Sequence, residues 1–341
     1  MMNETVLVTG GSGYVAGHCI VQLLRRGYRV RTTVRSASKE QAVRSAIVRV
    51  VDPGDRLDFV HADLGANAGW DEAVAGCTYV LHVASPLGND GAKDPDALMV
   101  PAREGTLRVL RAAVKANVTR VVMTSSTAAC TPPNLETAGD EAMWTGDAHP
   151  TLNAYRRSKI AAERVAWDFM AAQPAGTTTL TTILPGAIFG PVLSMANLGS
   201  VQFIDRLLGG KLPGVPHLGF CVVDVRDLAD LHIRAMLAPE AAGQRFVAVG
   251  DFMWMDDIGA TLRAELGPQG TKVPTRKLPD VALRVLAWFS PSLRALTPLL
   301  GRRQLFNSAK AQRILGFSPR PAAATVVDCA RNLLDHEEAA R

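Results

Sequence analysis

The chain has 341 residues, of which 48% are hydrophobic, 20% charged and 6% aromatic. That length suits one large domain, or one domain carrying a smaller lobe, and the apolar content excludes a disordered chain. The net charge of +5 and the pI of about 9.1 come with Arg and Lys spread along the chain, so nucleic acid is not an expected partner.

Residues 5–9 (TVLVT) are β-branched, apolar and bounded by glycines, and predict a buried strand. Helical spacing follows over 14–26, with Gly27 as the stop. Residues 29–34 (RVRTTV) alternate as a second strand, and 39–51 form a helix ended by Asp52-Pro53-Gly54. Strands are expected at 57–61, 78–83, 120–124 and 178–184, with long helices at 95–117 and 153–172. This alternation predicts an α/β fold with a doubly wound parallel sheet, because each parallel crossover needs a helix. After about Pro185 the alternation loosens into short helices, prolines and glycines. The expected organisation is a Rossmann domain over 1–190, to which segments around 220–250 return, and a smaller mixed lobe over 191–341.

The five cysteines (19, 77, 130, 221 and 329) are far apart and form no C-x-x-C. They read as reduced thiols of a cytoplasmic protein, not as a disulfide frame or zinc site, and the seven histidines show no ligand spacing. The start lacks a basic segment followed by an apolar one, and the apolar stretch 281–300 is broken by Arg284, Arg294 and two prolines. Neither a signal peptide nor a membrane partner is therefore expected.

The first strand runs into Thr9-Gly10-Gly11-Ser12-Gly13-Tyr14-Val15-Ala16, which opens a helix. Gly10 allows the tight turn, and Gly13 lets the backbone approach a pyrophosphate at the helix N-terminus, where free N–H groups favour an anion. Ala16 in the third position still permits close helix–strand packing. Ser12, Tyr14 and Val15 join the glycines as expected dinucleotide contacts. An NAD site places an acid at the end of the second strand, to accept from the ribose 2′-OH. This chain has Thr33-Val34-Arg35-Ser36 there, with no acid before Glu40. Arg35, with Lys39 as a second cation, suits a 2′-phosphate, so the expected cofactor is NADP(H).

Tyr155-Arg156-Arg157-Ser158-Lys159 lies in the long helix, with Tyr155 and Lys159 on one face. A phenol is a weak acid at neutral pH, and a neighbouring ammonium lowers its pKa. The fifth strand ends in Thr124-Ser125-Ser126, at the strand ends that face the ligand crevice. A hydroxyl there can hold a carbonyl oxygen beside Tyr155. No metal is expected.

These pieces together resemble the extended short-chain dehydrogenase/reductase family, and within it the dihydroflavonol-reductase-like carbonyl and aldehyde reductases. The matching segments include VTGGSGYVAGH (8–18), TVRS (33–36), ADL (62–64), HVASPL (82–87), VVMTSS (121–126), YRRSK (155–159), PGAIFGP (185–191) and VDVRDLADLHIRAM (223–236). The resemblance spans nearly the whole chain. It implies that Asp63 and Leu64 flank the adenine, that Ala84, Ser85, Pro86 and Thr124 line the nicotinamide side, and that Pro185, Gly186 and Ile188 meet the carboxamide. It implies Ser126 as the catalytic serine, with Ser125 as the fallback, beside Tyr155 and Lys159. The chain departs from plant dihydroflavonol reductases at Thr131, where those enzymes carry Asn, and from plant cinnamoyl-CoA reductases in having NAYRRSK around the tyrosine.

The activity this implies is NADPH-dependent, reversible reduction of a ketone or aldehyde, with a hydrophobic or aromatic small molecule as substrate. Leu87, Thr127, Trp144, Met195, Phe203 and Met253-Trp254 are candidate pocket residues. A nucleotide-sugar epimerase or dehydratase, a 3β-hydroxysteroid-type dehydrogenase and a non-catalytic NADP sensor are alternatives on the same fold. Either a monomer or a homodimer is compatible with the sequence.

Overall fold

In the computed structural model the chain is built on a seven-stranded sheet in which every pairing is parallel. The structure describes residues 4–86, 96–174, 176, 178–196 and 198–339. The strands are β1 (Thr5–Val8), β2 (Arg29–Val34), β3 (Leu57–His61), β4 (Tyr79–His82), β5 (Arg120–Thr124), β6 (Thr179–Pro185) and a seventh at Gln244–Ala248. Their spatial order is Gln244–Ala248, β6, β5, β4, β1, β2, β3. The order therefore reverses at β1, which pairs with β2 on one side and β4 on the other. That reversal opens the crevice where a doubly wound sheet takes its ligand.

The strands are apolar on both faces because both faces are covered: Val6, Leu7 and Val8 are fully buried. Helices α1 (Tyr14–Arg25) and α2 (Ala37–Val48), with helix Val225–Leu237, enclose one core against β1, β2 and Gln244–Ala248. Helices α3 (Trp70–Val74), α4 (Asp96–Lys115) and α5 (Ala154–Ala171) enclose another on the opposite face. The six strands and four long helices expected over residues 5–184 lie within two residues of their predicted bounds, except that α2 starts and ends slightly earlier. Helix α3 is too short for apolar periodicity to reveal it. It starts after Gly69, which has φ +85°, and a Cβ there would overlap the His61 carbonyl.

Beyond β6 the chain builds a second core. Strand Gly219–Asp224 pairs antiparallel with Phe252–Trp254 and parallel with Ala187–Phe189. Helices Gln202–Leu208, Met255–Leu266 and Ala322–Ala339 pack around this small sheet through Ile204, Leu207, Ile258, Leu262, Val326 and Leu333. The two cores alternate along the sequence. Between Gly219–Asp224 and Phe252–Trp254, helix Val225–Leu237 and strand Gln244–Ala248 return to the large sheet, and Leu315 and Phe317 also join its core.

Candidate active site

The turn after β1 is shaped by lost side-chain volume. Gly10 sits at φ +69°, and a Cβ there would lie 2.9 Å from that of Ala84. A Cβ on Gly11 would overlap the Thr32 hydroxyl of β2; this glycine is needed for packing, which the spacing of the turn did not single out. Gly13 N donates to Gly10 O at 2.8 Å, and no side chain caps α1. The N-cap of α1 is a glycine, which offers its first-turn N–H groups no side-chain acceptor of its own, and this fits an anionic group at that helix end. The helix is pinned to the far wall of the crevice by two bonds. Tyr14 OH donates to Gly190 O and His18 Nε2 to Pro191 O, each at 2.8 Å. Because its hydroxyl is spent on Gly190, Tyr14 can meet a bound dinucleotide through its backbone.

At the end of β2, Arg35 is exposed and Lys39 half-buried, and neither makes an ion pair among the described residues. Glu40 instead faces Arg44 at 3.9 Å and His61 at 3.8 Å. The end of this strand therefore presents cations and no acid, which fits a phosphate on the ribose and disfavours a bare diol. Asp63 is exposed and accepts from Gly65 N at 2.7 Å, while Leu64 packs beneath Gly105.

The ends of β4, β5 and β6 form the floor. Thr9 Oγ1 accepts from Ala84 N and meets His82 Nδ1, both at 3.0 Å, and so fixes the start of the Ala84-Ser85-Pro86 segment. Burial, helped by the charge of Lys159, pushes the His82 pKa down to about 3, so this imidazole is neutral. Gly186 lies flat over the Cys221 carbonyl, where a Cβ would overlap it, and its N–H donates to Ala248 O. Pro185 is buried and Ile188 half-buried in the same wall.

The three hydroxyls ending β5 take three different partners. His232 Nδ1 lies 2.7 Å from Leu228 O; a carbonyl only accepts, so Nδ1 carries the proton. Nε2 is then an acceptor, and Thr124 donates to it at 2.7 Å. Ser125 points into the protein and donates to Glu163 Oε2 at 2.6 Å. Ser126 is half-buried, and its Oγ accepts from Ala128 N at 3.1 Å, capping a 3-10 turn at Thr127–Cys130. Since Oγ accepts there, its hydroxyl proton is committed to no protein atom among the described residues.

Asn153 caps α5, its side chain accepting from Arg156 N at 2.9 Å. Tyr155 therefore lies in the first helical turn, where the helix dipole favours a phenolate. The tyrosine is 38% exposed, whereas Lys159, one turn on, is buried. Lys159 Nζ lies 6.0 Å from the Tyr155 ring centroid. Burial lowers the Lys159 pKa to about 8, against the opposing pull of Glu163 a further turn along. Glu163 is itself fully buried. It accepts from Ser125, from Thr182 Oγ1 at 2.7 Å and from Arg245 Nε at 2.9 Å. Neither this ion pair nor the part played by Asn153 was drawn from the sequence, although a cap residue two positions before the tyrosine was visible there.

The candidate pocket residues take different partners. Trp144 lies under Arg245, whose guanidinium carbon is 3.8 Å from its ring centroid. Phe203 packs on Phe220 with centroids 5.7 Å apart, and Trp254 stacks against His217 at 4.5 Å. Met253 is buried in the second core, Thr127 is buried in the 3-10 turn, and Met195 is 40% exposed. Leu87 lies outside the described residues. Thr131 accepts from Arg156 Nη2 at 2.6 Å, and Arg156 Nε has no hydrogen-bond partner among the described residues.

Residues 6–250 match the family model described as "NAD dependent epimerase/dehydratase family". The ketoreductase azaE of Aspergillus niger is 31% identical, the alignment covering 97% of this chain and 98% of that protein. The cinnamoyl-CoA reductase CAD2 of Medicago truncatula is 35% identical over 71% of this chain and 75% of its own length. Among solved structures, Gre2 of Candida albicans in complex with NADPH matches with a TM-score of 0.81 at 26% identity, covering 97% of this chain and 99% of that one.

Proposed function

The chain belongs to the NAD dependent epimerase/dehydratase family, as an NADP-dependent oxidoreductase, and from that premise we propose that it reversibly reduces a ketone or aldehyde of hydrophobic or aromatic character to the alcohol. One observation carries the reading. A buried Lys159 sits one turn behind an exposed Tyr155, on the helix whose Glu163 accepts from Ser125, the neighbour of Ser126. The reductase relatives and the NADPH-bound neighbour support the same chemistry.

The glycine turn with Ser12, Tyr14 and Val15 would hold the pyrophosphate, Arg35 and Lys39 the 2′-phosphate, and Asp63 and Leu64 the adenine side. Ala84 to Pro86, Thr124, Pro185, Gly186 and Ile188 would border the nicotinamide end. NADPH, when bound, supplies the hydride. Ser126 donates its uncommitted proton to the substrate oxygen and stabilises the charge that develops there. Tyr155 transfers a proton to that oxygen. The Lys159 ammonium favours the phenolate, so Tyr155 is the stronger acid for it, and it would bind the nicotinamide ribose. The His232 imidazole and the Glu163 carboxylate act on neither reacting atom; they hold Thr124 and Ser125, and through them the end of β5. The lobe built mainly from residues after 190 would enclose the substrate.

The test is a panel of ketones and aldehydes with NADPH or NADH, read by nicotinamide absorbance. The reading predicts NADPH consumption with at least one carbonyl compound and slower turnover with NADH. Tightly bound NAD in the purified protein, with no carbonyl reduced across the panel, would overturn it.

A further inference from the structure

The positive charge is densest in two stretches, residues 25–51 on the dinucleotide side and residues 272–303 near the C-terminus. Residues 272–303 hold seven cations against one acid, Asp280, while the rest of the chain carries 30 basic and 31 acidic side chains. The one acid faces His217 at 3.7 Å, and of the cations only Lys277 makes an ion pair among the described residues, with Asp256.

The same segment carries the most exposed large apolar side chains among the described residues: Phe289 at 81%, Trp288 at 73% and Val281 at 72%. Helix Asp280–Leu286 buries Leu283 and, one turn later, Ala287, and turns Val281, Val285 and Leu286 outward. Arg294 donates to the carbonyls of Ala287 and Trp288, at 3.2 and 3.0 Å, so the two aromatic residues sit on a braced turn. Arg284, Trp288, Arg294 and Pro298 share the lining of one shallow concavity. Gly301 N then donates to His217 O, which returns the chain beside Asp280 at the start of the helix. The result is an apolar centre bordered by Arg284 and Arg294.

We propose that this face docks the protein peripherally on anionic phospholipid membranes, with Trp288 and Phe289 at headgroup depth and the arginines on the phosphates. Apolar and aromatic side chains bordered by arginines are the two signals that interfacial binding requires. A second copy of the chain is the poorer occupant, since a two-fold contact would set these arginines against themselves. No helix among the described residues is long and apolar enough to cross a membrane, so the contact is with the surface.

The experiment is co-sedimentation of the full chain with phosphatidylcholine vesicles, with and without phosphatidylserine. Binding is expected only with phosphatidylserine and should fall as salt is raised. Arg284→Gln should weaken it roughly fivefold, and Trp288→Ser with Phe289→Ser by more than about tenfold. Thermal unfolding of each variant should match the parent, which separates lost binding from lost folding. Absence of phosphatidylserine-dependent binding at low salt, or binding indifferent to both substitutions, overturns the proposal. So does a dimer that the Trp288/Phe289 variant disperses while the parent ignores vesicles.

Discussion

Ser125 and Glu163 share a 2.6 Å hydrogen bond inside the protein, and that bond separates the roles of two adjacent serines. Adjacent residues of an extended chain point to opposite sides. With Ser125 held inward, the proposed mechanism takes Ser126 as the hydroxyl that meets the substrate. Ser126→Ala should therefore lower kcat by about 10²–10³-fold with little change in melting temperature. Ser125→Ala removes one donor from a buried carboxylate. It should cost about 1–3 kcal/mol of stability and leave kcat within a few-fold. Steady-state kinetics and thermal unfolding of the two variants check the assignment.

The proposed reading rests the choice of cofactor on Arg35. Its guanidinium is exposed and makes no ion pair among the described residues, and Glu40, the next acid in sequence, is turned toward Arg44 and His61. Arg35→Ala should lower kcat/KM for NADPH about 10- to 100-fold, the worth of a charge-assisted bond, and leave that for NADH nearly unchanged. Arg35→Asp should invert the preference. The ratio of the two kcat/KM values is the measurement.

The pH dependence follows from Lys159. Burial brings its pKa down to about 8, so the ammonium is present below that pH and lost above it. Carbonyl reduction should be level on the acid side and fall as pH rises through about 8. His82 and His232 are held near about 3 and about 4 by burial, and add no inflection at neutral pH. Lys159→Arg keeps a cation at high pH and should abolish the alkaline fall, at a lower rate. Glu163→Gln removes the charge that supports the ammonium and should move the inflection to lower pH. The kcat/KM profile of each protein reads these outcomes.

Arg245 and Glu163 form an ion pair that is almost entirely buried, with Trp144 stacked on the guanidinium. Removing one partner leaves an uncompensated buried charge. Arg245→Met should destabilise the protein by about 3–5 kcal/mol, and Arg245→Met with Glu163→Gln should recover part of that loss. Urea unfolding of the single and double variants gives the comparison.

What the sequence disclosed and what it did not divide along physical lines. The glycine turn, Tyr155 and Lys159 were legible because their spacing is local: a strand-to-helix junction and one helical turn. Arg35 was legible because a missing acid at a strand end is a local fact. The partners of Ser125, Thr124 and Thr9 were not, since Glu163, His232 and His82 lie 38, 108 and 73 positions away. Trp144 suited a substrate wall by its chemistry, but its ring is stacked on a guanidinium from strand Gln244–Ala248. The expected return of segments around 220–250 did not extend to a seventh strand, because a run of five residues is short and its place in the sheet comes from pairing with β6.

Tyr155→Phe tests the central claim most directly. The substitution removes one hydroxyl from an exposed ring and leaves Lys159, Ser126 and the glycine turn in place. NADPH oxidation with the best carbonyl substrate should be abolished, while NADPH binding, followed by fluorescence titration, stays at the parent affinity. Appreciable turnover by this variant would contradict Tyr155 as the proton donor, and with it the mechanism built on the Ser126, Tyr155 and Lys159 site.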